Sequence, residues 1–113
     1  MDRRHRLTPS RAFGRVFAEG RRGQSGSVVA VARPSGEQRA PRVGVAASKR
    51  VGSAVRRNRA KRRLREAVRA RLACIPAGTD VVLIASPAVV SAPFDAVRAD
   101  VVGALERAGA IAC

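Results

Sequence analysis

The sequence predicts an α+β fold, with helices packed on one sheet in a single domain that spans residues 1–113. A chain of 113 residues has the size of one domain. Short apolar runs typical of strands alternate with longer segments of helical periodicity. The predicted order is helix, strands, helix, strand, helix, and its strand–helix–strand part is typical of a parallel crossover connection.

The first helix is predicted to begin at Thr8-Pro9, which combines a side-chain cap with a proline in the first turn. Gly20 is typical of a helix end. The apolar face of this helix would consist of Phe13, Val16 and Phe17. The polar, glycine-rich segment 21–26 that follows predicts a loop or a frayed edge.

Three strands are expected. Residues 27–32 (SVVAVA) and 42–48 (RVGVAAS) read as strands, and the Pro- and Gly-containing segment 33–41 between them reads as a turn. We therefore expect these two strands to pair as an antiparallel hairpin with a long loop. Residues 80–86 (DVVLIAS) form a continuous apolar run, which predicts a central strand covered on both faces.

An amphipathic helix is predicted over residues 54–72, with Ser53 as its N-cap. Its core face would consist of Ala60, Leu64, Ala67, Val68 and Leu72. Its outer face would carry Asn58, Arg62, Arg65 and Arg69. A last helix is predicted over residues 91–109, with Pro93 in its first turn. Its core face would consist of Phe94, Val97, Val101, Ala104 and Leu105.

The positive charge is concentrated in the first two thirds of the chain. Residues 1–71 contain all but two of the 23 Lys and Arg, but only half of the eight acids. Between residues 48 and 72, eleven residues are cationic and only Glu66 is acidic. Like charges three and four residues apart destabilise a helix, so an ordinary solvated face would mix its signs. We therefore favour nucleic-acid binding over a merely solvated basic helix.

Protein-encoded catalysis is not expected. His5 is the only histidine and lies in a terminal segment, and the acids are scattered. No metal-ligand spacing and no Gly-rich phosphate loop is present. There is no signal peptide, and the longest apolar run is too short to cross a membrane, so we expect a cytoplasmic protein that does not contact membranes. Cys74 is expected to be a buried, unreactive thiol.

Phe13 and Phe17 have two interpretations. An aromatic pair four residues apart is more often part of a core, and the spacing alone favours that reading. If the two rings were exposed, they could stack on the bases of single-stranded RNA.

The stretch from Arg42 to Glu66 closely resembles the signature of the protein subunit of bacterial ribonuclease P. Its strand ends in Ser48-Lys49-Arg50 and is followed by Val51-Gly52. The core motif is Arg57-Asn58-Arg59, and it is followed by Lys61, Arg62 and Arg65. The segment from His5 to Gly20 and the strand that begins at Asp80 also resemble the family, so the resemblance covers nearly the whole chain. Ser53 stands where the family often has Asn.

The resemblance implies a left-handed parallel crossover through the basic helix. It also implies that a large catalytic RNA performs the Mg²⁺-dependent removal of the 5′ leader from precursor tRNA, and that this RNA holds most of the Mg²⁺. No catalytic residue or metal ligand is then expected in the protein. The expected RNA-binding residues are Lys49, Arg50, Arg57, Asn58, Arg59, Lys61, Arg62, Arg65 and Arg69.

The same resemblance places Phe13 and Phe17 in a cleft that binds the leader. In some members an aromatic residue lies near the end of the strand that contains residues 28–31, which are aliphatic here. Residues 1–7 and 110–113 are expected to be flexible. The alternative is a ribosomal or other structural RNA-binding protein with no role in cleavage.

Overall fold

A computed structural model describes residues 3–7 and 11–111 of the chain. The helices are α1 (Arg11–Glu19), α2 (Ala54–Arg69) and α3 (Phe94–Arg107). The strands are β1 (Arg21–Ser25), β2 (Val28–Pro34), β3 (Arg42–Ala47) and β4 (Thr79–Ala85). Short 3₁₀ helices cover Arg3–His5, Lys49–Val51, Leu72–Cys74 and Pro87–Val90. The α+β class and the order of the main elements are as predicted.

The four strands form one mixed sheet in the order β1-β2-β4-β3. β4 is central, as its unbroken apolar sequence predicted, and it pairs antiparallel to β2 and parallel to β3. The predicted crossover through α2 is therefore present. The predicted hairpin between β2 and β3 is wrong, because β4 lies between them. The connection 35–41 only has to span the roughly 10 Å between strands that are two positions apart, which seven residues do easily.

Segment 21–26 is mostly strand, not a loop. All five residues of β1 pair with residues 28–32 of β2, and the turn to β2 passes through Gly26 with a φ of 52°. Asp100 of α3 holds this turn by accepting hydrogen bonds from the backbone N–H and the hydroxyl of Ser27, at 3.0 and 2.9 Å. Only Gly23 of this strand is buried, and the other four residues are polar. The strand therefore lacks the alternation of apolar and polar residues by which a strand is predicted from sequence.

The sheet has a closed face and a partly open face. Val81, Leu83 and Ala85 of β4 point into the main core, which α2 and α3 cover. Val82 and Ile84 point to the other face, where α1 packs through the fully buried Val16. This alternation is the ordinary consequence of strand geometry. Because α1 is only nine residues long, it covers just part of that face.

The predicted helix ends are largely confirmed. Ser53 caps α2 by accepting a hydrogen bond from the backbone of Arg56 at 3.3 Å, and Gly20 ends α1 with a bond to Val16. α2 ends three residues before Leu72, which packs from the following 3₁₀ helix. Pro93 immediately precedes α3 and is not in its first turn. The predicted cap at Thr8-Pro9 lies outside the described residues.

Cys74 was expected to be a buried free thiol, but it is half-buried and disulfide-bonded, and Cys113 lies outside the described residues. Leu7 and Ala110, in segments expected to be flexible, are buried at 3% and 1% exposure.

Within residues 3–7 and 11–111, no helix combines the length and apolar character required to cross a membrane.

Candidate nucleic-acid interface

The outer face of α2 carries a cationic groove of about 440 Å³. Its lining residues are Val55, Asn58, Lys61, Arg62 and Arg65, none of which is acidic. They share one side of the helix because their spacing follows the helical repeat, while Ala60, Leu64, Ala67 and Val68 are buried on the other side. Val55 is 77% exposed, so the groove also has an apolar wall. The predicted stripe therefore exists as a formed surface.

The charge in this groove is not compensated from within α2. Burial, and then the nearby guanidinium of Arg6, lowers the pKa of Arg65. An arginine stays protonated at any physiological pH, so the lowered pKa reports an unfavourable environment for the cation and not a loss of its charge. Glu66, the only acid on α2, lies 3.6 Å from Arg69, in an ion pair that is exposed on both sides. Among the predicted RNA-binding residues, Arg69 is therefore the one whose charge is partly compensated by an acid on its own helix.

Two arginines on the flank of α2 hold the fold together. The Nε of Arg59 donates to the carbonyl of Val90 at 3.1 Å, and Arg63 donates to the carbonyls of Val90 and Ala92. The guanidinium of Arg63 also lies 5.8 Å from the centre of the Phe94 ring. These contacts tie α2 to the segment between β4 and α3. Arg59, which was predicted to bind RNA, therefore has a structural bond as well.

The remaining predicted RNA ligands lie at the start of α2 and just before it. Lys49 and Arg50 are exposed on the 3₁₀ helix that follows β3, and this helix ends at Gly52 with a φ of 112°. Arg57 is half-buried, and its Nε is buried without a hydrogen-bond partner in the described part of the chain. The positive surface thus extends along α2 and onto the turn that leads into it.

On the open face of the sheet, Phe13 and Phe17 form an edge-to-face pair with ring centres 6.2 Å apart. Phe13 is half-buried and its ring lies against the backbone of Gly44, where a Cβ would collide with it. Phe17 is 41% exposed. The two rings therefore differ: Phe13 belongs mainly to the small core under α1, and Phe17 offers a face to a ligand.

Beside this pair, the sheet presents residues in register across three strands. Val29, Ile84 and Ala46 pair side by side and are only half-buried, so they form an apolar strip next to α1. The sequence pattern did not predict this strip. Alternate residues of a strand lie on opposite faces of the sheet, and this alternation could have indicated the strip. It cannot be recognised in the sequence here, because the residues on both faces are apolar.

Four residues further along each strand, the same face ends in a charged row formed by Arg33, Asp80 and Arg42. Asp80 is 3% exposed and accepts hydrogen bonds from Arg39 at 2.9 and 3.1 Å and from Arg42 at 3.2 Å. Burial alone would raise the pKa of Asp80, but the bonds from Arg39 and Arg42 outweigh burial and hold that pKa below its usual value. This cluster fixes the loop 35–41 to the start of β4.

A compact α+β sheet with an acid-free cationic groove on one helix and an aromatic pair on its open face defines an RNA-binding protein. The family model described as "Ribonuclease P" matches residues 1–109, and the chain belongs to this family. It is therefore a subunit of an RNA-based endoribonuclease with a role in tRNA 5′ processing, as the motif around Arg57 predicted.

Relatives and solved structures agree with this assignment. The ribonuclease P protein component of Chloroflexus aurantiacus is 42% identical over 109 residues, which are 96% of this chain and 80% of the relative. That of Brevibacillus brevis is 37% identical over 111 residues, or 98% and 88% of the two chains. The RNase P protein from Thermotoga maritima superposes with a TM-score of 0.75 at 32% identity, covering 88% of this chain and 93% of that one. The Staphylococcus aureus RNase P protein, at 23% identity, shares the fold with a TM-score of 0.81 over 95% and 97%.

Proposed function

We propose that the chain docks on the catalytic RNA of ribonuclease P through the groove on α2, and that it holds the 5′ leader of precursor tRNA against the α1 face of the sheet. The observation that carries the proposal is the groove itself: amide and cationic side chains line it and no carboxylate does. Each phosphate that such a surface neutralises releases counterions, which drives association with RNA.

The α1 face suits a single strand of RNA for a different reason. Phe17 can stack on a base, because every base has a flat π-face and stacking is tolerant of sequence. The strip of Val29, Ile84 and Ala46 beside it accommodates the apolar faces of neighbouring bases and sugars. The leader is single-stranded, so its bases are available for such contacts, whereas those of a duplex are not.

The proposal assigns Mg²⁺ to the RNA. Within residues 3–7 and 11–111, no group of three or more His, Cys, Asp or Glu side chains is placed to hold a metal ion. His5, the only histidine, is bonded through Nδ1 to the carbonyl of Pro41 at 2.9 Å. The protein's own residues would therefore neutralise phosphates and position the leader. The chemistry that Mg²⁺ supplies would take place on RNA ligands.

The decisive experiment is reconstitution with the cognate catalytic RNA and measurement of precursor tRNA cleavage at low Mg²⁺ concentration. The protein is expected to raise the cleavage rate there, because its cations replace part of the screening that Mg²⁺ otherwise provides. Arg62→Glu should abolish most of this gain. Arg71→Glu makes the same change in charge in a groove between α2 and α3, and it should retain the gain.

The result separates the proposal from a purely structural RNA-binding role. If the wild-type protein binds the catalytic RNA but leaves cleavage unchanged at every Mg²⁺ concentration, the structural alternative is correct. If Arg62→Glu and Arg71→Glu behave alike, docking does not use the groove on α2.

A further inference from the structure

The N-terminal segment is fixed along the free edge of β3. Arg6 forms a parallel bridge with Val43, and the backbone N–H of Leu7 donates to the carbonyl of Val43 at 3.0 Å. His5 is tied to Pro41 at 2.9 Å, and the Leu7 side chain is 3% exposed in the small core under α1. The backbone on both sides of Arg6 is therefore held in place.

This arrangement directs Arg6 toward α2. Neighbouring residues of an extended chain point to opposite faces, so Arg6 points away from the α1 core that Leu7 enters. Arg6 is exposed, and its positive charge, after burial, is the second cause that lowers the pKa of Arg65. Arg65 itself lines the docking groove. The guanidinium groups of Arg6 and Arg65 thus come from different elements and lie on the same side of the sheet, the side that α2 covers.

Nothing in the described residues neutralises this pair. Neither Arg6 nor Arg65 forms an ion pair within residues 3–7 and 11–111, and Glu66 is directed to Arg69. Two like charges held together without an acid raise the energy of the free protein, and an anion placed between them removes that penalty. A phosphate group, with several acceptor oxygens, can bond both guanidiniums at once.

We propose that Arg6 is an RNA-binding residue that, together with Arg65, holds one phosphate of the catalytic RNA at the junction between α2 and the edge of β3. The inference rests on the proposed function and extends it. The docking surface then continues from α2 onto the N-terminal segment, which leads directly into α1 and the opposite face of the sheet. Arg6 is thus placed between the RNA-docking helix and the leader-binding face.

The test compares the affinity of the full-length protein for the cognate catalytic RNA, without tRNA, over a series of salt concentrations. Arg6→Ala should weaken binding by about three- to tenfold at low salt and reduce the slope of log K against log salt by about one. Arg71→Ala, an exposed arginine on the far groove, is the matched control and should change neither quantity. Arg6→Lys should recover most of the slope, because it keeps the charge.

A double-mutant cycle examines the shared phosphate. If Arg6 and Arg65 bind the same phosphate, the combined loss in Arg6→Ala/Arg65→Ala should be smaller than the product of the two single fold-changes. Independent, fully multiplicative losses would overturn the shared site.

Thermal melts of the free protein separate binding from folding. Removing Arg6 relieves its repulsion of Arg65, so Arg6→Ala should melt at or slightly above the wild-type temperature in low salt. A lower melting temperature would make Arg6 a structural residue and overturn the inference, as would an affinity and slope equal to those of Arg71→Ala. Failure of the wild-type protein to bind the catalytic RNA would instead refute the proposed function.

Discussion

Asp80 is the residue whose loss should most damage the fold without removing any hydrophobic side chain. It is 3% exposed and accepts four hydrogen bonds, two from Arg39 and two from Arg42. Hydrogen bonds to charged groups contribute about 1.5–3 kcal/mol each. Asp80→Asn keeps one acceptor oxygen, and the side chains of Arg39 and Arg42 are 24% and 32% exposed, so water can recover part of the loss. We therefore expect a decrease of about 3 kcal/mol in the free energy of unfolding, at the lower end for a broken buried pair.

This loss should be visible in melts and should depend on pH. For a domain of this size, about 3 kcal/mol corresponds to a fall of roughly 12–24 °C in Tm. Because the pKa of Asp80 is lowered by folding, its contribution is fully present above the unfolded-state pKa, near 4. It disappears as the pH falls through the folded-state pKa. Wild type and Asp80→Asn should therefore differ at pH 7 and converge in strong acid.

The matched control is Asp95→Asn, which breaks an ion pair with Arg98 in which Asp95 is 87% exposed. Exposed pairs contribute at most about 1 kcal/mol, so this variant should melt close to wild type. A decrease below about 1 kcal/mol for Asp80→Asn, or a gap between the variant and wild type that persists unchanged at low pH, would refute the reasoning.

Four further variants test the two RNA surfaces and the contacts by which Arg63 ties α2 to the segment before α3. Asn58→Ala should leave Tm nearly unchanged and weaken binding to the catalytic RNA, since the side chain is exposed in the groove; a large drop in Tm would make it structural. Phe17→Ala should weaken binding of leader-bearing tRNA by about 1–3 kcal/mol and spare mature tRNA, measured on the reconstituted complex. If Phe17→Ala weakened the binding of both RNAs equally, the result would argue against a leader site. Phe13→Ala removes a ring that is half-buried, so it should mainly lower Tm. Arg63→Ala should lower Tm by removing the bonds to the carbonyls before α3 and the contact with Phe94, with a smaller effect on RNA affinity than Arg62→Glu.

The elements that were predictable from sequence are those whose signal lies within the element. α2 combines a capping serine with a clean helical periodicity, and β4 is an unbroken apolar run, so both were identified with nearly correct ends. β1 was missed because its residues are polar and its stability comes from backbone pairing with β2 and from Asp100, which lies 73 residues beyond Ser27. The pairing of β2 with β4 was also missed, because the two strands are far apart in the chain and the choice of partner depends on the whole sheet.

The candidate site divides in the same way. The cationic stripe follows from helical spacing, and the structure brings Asn58, Lys61, Arg62 and Arg65 into one groove. Spacing could not reveal that Arg59 also donates to Val90, because its partner lies 31 residues away on another element. Nor could it bring Arg6 to Arg65, or separate the exposed Phe17 from the half-buried Phe13. These facts depend on tertiary packing.

The central position of β4 has a consequence for how this protein is made. β2 and β3 do not pair with each other, and they are joined into one sheet only through β4. On the ribosome, β1, β2, β3 and all of α2 emerge before β4, so the basic helix has no completed surface to pack on until residues 79–85 have been synthesised. Until then its apolar side stays exposed while its arginines are already available to any RNA nearby. A chain truncated before Ala85 would consequently keep the cationic residues of α2 but lack the folded surface that positions them. We expect such a chain to bind RNA without discrimination.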